Sequence, residues 1–243
     1  MIIGCASTDA NNAHELLEQT NLAMGDINSM SLAFSSETTA PILGLDADML
    51  IESETAGTIE VMNNSSDSFE AKAEIMQEMT GVELEYTAYF RDNQMYVDLT
   101  DLMDMGLKEG REISNPFGMI NINLDFSESD IIQQSVEHMD EGIQLTFSLG
   151  DEALLETINA QLHMIDLEID QLTETDYDLV ILIDDNYIIQ WIELKINLAF
   201  ESEAGEGEKT MFAHVDVTLE EVTFDFPEII DEFMEFVASI PAF

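Results

Sequence analysis

The sequence predicts an α+β fold: a large twisted antiparallel sheet with helices against one face. Three observations lead there. Long segments alternate apolar and polar residues with period two, the pattern of half-buried antiparallel strands. Short gaps containing Gly or Asn separate them, which favours hairpins over crossovers. Strands and helices do not alternate regularly, which argues against a parallel doubly wound sheet.

Taken in order, residues 13–27 read as a helix. Leu16, Leu17, Thr20, Ala23, Met24 and Ile27 form one stripe at helical spacing, and Asp9, Asn11 or Asn12 stands where a cap belongs. From Ser29 the period drops to two, with Met30, Leu32 and Phe34 on one side. Less regular strands are expected at 49–62, 69–79 and 95–99. Val82, Leu84, Tyr86, Ala88 and Phe90 alternate cleanly between them. Arg91-Asp92-Asn93-Gln94 and Asp140-Glu141-Gly142 read as turns, the second between strands at 131–139 and 143–149. A second helix is expected over 151–165, opened by Asp151 and Glu152 and faced by Leu155, Ile158, Leu162 and Ile165. Two long strands follow, one through Ile192, Leu194, Ile196, Leu198 and Phe200, the other through Met211, Ala213, Val215, Val217 and Leu219. Ala204-Gly205-Glu206-Gly207 forms the tip between them. Pro227 opens a third helix with Ile229, Ile230, Phe233, Phe236 and Val237 on its apolar stripe. Residues 13–243 are read as one domain and 1–12 as a leading tether.

Charge limits function more sharply than any motif. Six basic residues stand against 52 acidic ones, a formal net charge of −46. Such a chain repels phosphate backbones, so nucleic acid is excluded as a partner. Self-repulsion opposes compaction unless ions screen it. A hydrophobic content of 46%, with 13 Phe and 15 Met, still supplies a core.

The lone cysteine lies in Met1-Ile2-Ile3-Gly4-Cys5-Ala6-Ser7-Thr8, which resembles a bacterial lipobox, where a small residue precedes a thiol that takes diacylglycerol. A basic n-region and a full apolar h-region are missing. Either the chain starts inside its signal peptide or the likeness is accidental. The first reading makes Cys5 the lipidation site and membrane anchor, and places the protein outside the cytoplasm on the outer face of the cell membrane.

No catalytic constellation stands out, and the expectation is a protein that is not an enzyme. His14-Glu15-Leu16-Leu17-Glu18 begins like a zinc-protease helix but has Glu where the second His belongs. His138, His163 and His214 have no ligand spacing. Asp46 and Asp48, or Asp98, Asp101 and Asp104, suggest weak, diffuse divalent-cation binding without a dedicated metal site. No cofactor is implied.

The Cys-led tether, the segment Leu16-Leu-Glu-Gln-Thr-Asn-Leu-Ala-Met-Gly-Asp-Ile-Asn-Ser-Met-Ser-Leu32, the Met-rich acidic strands and the two long strands 187–201 and 208–222 together resemble an uncharacterised group of Gram-positive lipoproteins. That group is similar in fold to the lipoprotein carrier LolA and the mycobacterial LppX/LprG lipoproteins. The resemblance implies a curved half-barrel with helices on its concave face and a lipid or other apolar ligand between the layers. Tyr86, Phe90, Trp191, Ile192, Ile196, Val215 and Val217 are the candidate lining residues. The competing reading is an envelope structural or interaction module with a packed core, whose acidic surface meets cations or basic partners.

Overall fold

In the computed structural model, residues 13–41, 50–64, 69–79, 81–92, 94–98, 106–110, 116–120, 122, 124–151, 169–202 and 205–226 are described. One helix, α1 (Ala13–Gly25), precedes strands β1 (Met30–Pro41), β2 (Leu50–Met62), β3 (Glu70–Met79), β4 (Val82–Arg91), β5 (Gln94–Asp98) and β6 (Gly106–Gly110). A 3₁₀ turn at Pro116–Ile120 follows, then β7 (Ile131–Met139), β8 (Gly142–Leu149), β9 (Ile169–Ile183), β10 (Ile189–Ser202) and β11 (Gly205–Thr218). The strands form one antiparallel sheet in the order β6-β5-β4-β3-β2-β1-β11-β10-β9-β8-β7. The chain's two runs of strands thus meet where β1 pairs with β11. Because β6 and β7 occupy opposite ends, the sheet is open, a half-barrel and not a closed barrel.

The register joins the apolar positions of successive strands into continuous rows. Phe34 faces Val215, which faces Ile192, then Ile181, Leu145 and Val136. In the other direction Phe34 faces Gly57, then Ile75 and Tyr86. A neighbouring row runs Val217, Leu32, Ile59, Ala73, Ala88 and Val97. We call this the inner face. Leu32, Ile59, Leu145, Ile181, Ile192 and Val215 are fully buried on it. Burying each such side chain stabilises the fold by about 1.5–3 kcal/mol. Helix α1 and the apolar residues Phe117, Ile122, Leu124 and Phe126 join the same core.

Helix α1 is held at both ends by groups outside it. The His14 backbone N–H donates to the Gln134 side-chain oxygen of β7 at 3.1 Å, satisfying a free N-terminal donor. The Asn64 amide donates to the Met24 carbonyl at 2.8 Å. That carbonyl also accepts the Ile27 N–H at 3.2 Å in a tightened last turn, and the helix ends at Gly25, two residues before the apolar stripe does. Thr20 is buried among apolar side chains but donates its hydroxyl to the Leu16 carbonyl at 2.8 Å. Across the sheet, on the outer face, residues 219–226 lead away from β11. There the Arg91 guanidinium lies 3.6 Å from the centre of the Phe226 ring, and Arg91 pairs with Glu70 at 2.7 Å.

Two strands escaped the sequence reading, β6 and the 15-residue β9. The apolar run Leu179-Val180-Ile181-Leu182-Ile183 in β9 hides its period, because Leu182 on the outer face is also buried. The expected helix at 151–165 lies outside the described residues after Asp151, and the expected helix after Pro227 lies outside them entirely, as does the tether. Among the described residues α1 is therefore the one helix against the sheet.

Gly57 sits inside β2 because nothing larger fits. A Cβ there would stand 2.2 Å from the Glu74 carbonyl oxygen, and the Phe34 ring already covers the site at 3.1 Å. We predict that Gly57→Ala lowers stability by about 1–3 kcal/mol through this overpacking. Urea denaturation should show a lower midpoint with an unchanged slope.

Candidate functional site

The row that packs β1 tightly against β11 loosens on its other side. Gly57 has no side chain, and its neighbours in the row are Phe34, Ile75 and Tyr86. These four residues line a groove of about 680 Å³, together with Ala56, Thr58, Glu74, Met76, Glu85, Thr87 and Asp98. On the same face Ala71, Ala73 and Ala88 are fully buried in the core and lie outside the groove's lining. Burial pushes the Tyr86 hydroxyl above the ordinary tyrosine range, since the phenolate loses hydration there.

The candidate lining residues distribute unevenly. Tyr86 lines the groove. Phe90 is buried on the same face but stacks on Phe69 with centroids 4.6 Å apart, away from the groove. Ile192, Ile196 and Val215 are buried on the inner face, and Val217 is partly buried beside Leu32. Trp191 faces Asp216 on the outer surface, with its ring 6.2 Å from that of His214. Adjacent strand residues point to opposite faces, so the Trp191 side chain lies on the face opposite to that of Ile192. Gly57 was passed over in the sequence. Its signal was available, since a single Gly within a strand pattern marks a close approach. Cys5 lies outside the described residues.

The outer face is chemically different. Glu37 faces Glu54, Glu54 faces Glu78, and Glu78 faces Glu83, so four glutamates stand in line across β1–β4. Adjacent strands are about 4.8 Å apart, and like charges directly opposite destabilise a sheet. All four side chains are exposed, where water and salt screen them. A smaller hollow of about 120 Å³ includes all four in its lining. Among the described residues no three acidic, His or Cys side chains converge to hold a metal ion. Basic groups answer the acids singly. Lys72 meets Glu74 at 2.6 Å, and Lys195 meets Asp176 at 3.5 Å. His214 stands between Glu193 and Asp216 at 3.4 and 3.2 Å. His14 lies near the Phe126 carbonyl and His138 is exposed on β7, so the described histidines do not share a site.

Two ionisable groups sit on the inner face away from the groove. Lys209 faces Leu198, and burial pulls its ammonium below the usual lysine range. Tyr177 faces Ile196, and burial holds its hydroxyl well above the usual tyrosine range.

No protein-family model matches the chain, and no curated protein matches it. Among solved structures, it is similar to a DUF1329 family protein from Desulfovibrio piger, with 10% identity over 94% of this chain and 98% of that one, at a TM-score of 0.34. It is also similar to a beta-barrel-like protein of the domain of unknown function DUF1849 from Brucella abortus. There the identity is 8% over 80% of this chain and 99% of that one, and the TM-score is 0.25.

Two predictions follow from these charges. Glu54→Gln removes the middle of the glutamate line, so it should raise stability by about 0.2–1 kcal/mol at low salt. The gain should shrink towards zero near 1 M salt, where the Debye length is about 3 Å. Parallel urea titrations at both salt concentrations measure it. For Tyr177 the folded state keeps its proton after the unfolded chain has released one. Its contribution is therefore intact below about pH 10 and lost as pH rises further. Tyr177→Phe should make the stability curve flatter above about pH 10. Part of the slope should remain, because burial also raises Tyr86.

Proposed function

We propose that this protein is a non-enzymatic surface lipoprotein that holds a lipid or other apolar ligand in the groove over Gly57. The groove itself carries the proposal. It takes Phe34, Gly57, Ile75 and Tyr86 from the apolar row into its lining, and its volume of about 680 Å³ falls within the roughly 300–1,000 Å³ of small-molecule sites. An acyl chain laid along Phe34, Ile75 and Tyr86 would gain about 0.8 kcal/mol per buried methylene. The resemblance to Gram-positive lipoproteins, a group similar in fold to LolA and LppX/LprG, points the same way. Cys5 is the proposed anchor, and acylation there would hold a chain of net charge −46 at a membrane whose anionic lipids repel it.

A second reading draws on the outer face. The line Glu37, Glu54, Glu78 and Glu83 supports an envelope module whose acidic surface meets diffuse cations or basic partners.

Native mass spectrometry of the full chain from its own host's membranes separates the two readings. The carrier reading expects additional mass that is lost on denaturation and is identifiable as lipid. It also expects mass that survives denaturation and maps to Cys5. Ile75→Glu, which places a charge in the groove row, should abolish the non-covalent mass and leave the mass on Cys5. Bare polypeptide under both conditions would contradict the carrier and the anchor together. Non-covalent lipid undiminished in Ile75→Glu would place the ligand elsewhere.

A further inference from the structure

The strands around the groove keep their charges on one side. Among the described residues of β1–β4, β10 and β11, every acid takes an outer-face position, and so do Lys72, Arg91 and Lys195. Lys209 is the exception. On these strands it is the one charged residue that alternation puts inside, in step with Met211, Ala213 and Val215. The other cations each have a carboxylate: Lys72 meets Glu74, Arg91 meets Glu70 and Lys195 meets Asp176. Lys209 meets none among the described residues, in a chain with 52 acids. It is partly buried, it faces the buried Leu198, and burial disfavours its ammonium. A desolvated cation without a partner is costly, and an anion seated on it would remove that cost.

A continuous path joins this ammonium to the groove. Val215 faces Phe34, which lines the groove. Lys209 stands six residues further along β11, roughly 20 Å away at the rise of a strand. Between them the inner face changes character. Ser36 and Thr38 of β1 face Thr55 and Ser53 of β2, and all four are partly exposed. The Gln77 amide donates to the Ser53 hydroxyl at 3.3 Å. The face thus runs from an apolar end at Gly57, past a group of hydroxyls, to a lone cation. A molecule with an apolar chain and an acidic head has the same order of parts.

Resting on the reading of the groove as an acyl-chain site, we propose that its ligand is an amphiphile with an acidic headgroup, a carboxylate or phosphate. The head pairs with the Lys209 ammonium, and the chain lies along β1 and β11 with its end over Gly57. Charge selects the head. On the outer face an anion meets carboxylates, whereas on this face the one charge it meets on the surrounding strands is positive.

Equilibrium binding of radiolabelled hexadecanoate and of its methyl ester to the delipidated full chain tests this, since the two share a chain and differ in charge. Hexadecanoate should bind about tenfold tighter, the scale of one hydrogen bond to a charged group. Lys209→Met should remove that preference while the ester binds as before, and Lys209→Arg should keep it. Acetate should not compete, because it lacks the chain. Equal affinities for acid and ester in the native chain, or a preference that survives Lys209→Met, would overturn the headgroup site and leave the groove reading intact. Competition by acetate would reduce Lys209 to a site for small anions and overturn the amphiphile. Binding of neither ligand would overturn the headgroup site and the groove reading together.

Discussion

One apolar surface holds this molecule together, and everything else has to respect it. The row from Tyr86 through Ile75, Gly57, Phe34, Val215, Ile192, Ile181 and Leu145 to Val136 takes one residue from each of nine strands. Hydrophobic burial along such rows must outweigh the entropy of ordering the strands and the mutual repulsion of a chain of charge −46. The pleat makes this feasible. Period-two alternation sends apolar side chains to the core and carboxylates to water, so acidity collects where salt screens it. A shift of one residue in register would exchange the two faces, and that penalty fixes the pairing of every strand.

The features that bear on function are departures from this rule. Gly57 brings no side chain to the row, and with Phe34, Ile75 and Tyr86 it lines the groove. The position itself is crowded by the Glu74 carbonyl and the Phe34 ring, so a larger residue there would move the strands. Lys209 and Tyr177 are polar groups on the apolar face, and burial disfavours the charged form of each. At the margin, β7 and β8 leave the acidic pattern almost entirely.

Much of this was legible in the sequence, because alternation reports directly on a half-buried antiparallel strand. Leu32 and Phe34, Ala88 and Phe90, and Ile192, Leu194 and Ile196 show which positions go inward. Alternation failed at β9, where Leu182 is buried on the outer face and completes an unbroken apolar run. It also gave Trp191 and Ile192 to the same surface, although neighbours in a strand point apart. The groove was illegible for a different reason. Its shape depends on which small residues meet across strands, such as Gly57 beside Ile75, and register is not written in composition. The Asn64 bond to the Met24 carbonyl at the end of α1 was likewise illegible, because it joins residues 40 apart in the chain.

Hydrogen exchange of backbone amides, followed strand by strand as salt is raised, tests the central claim most directly. If one apolar face binds all the strands against a screened outer charge, amides of β1, β2, β9, β10 and β11 should share a single opening free energy that rises with salt. Opening of β2–β5 independently of β8–β11, with neither responding to salt, would contradict it.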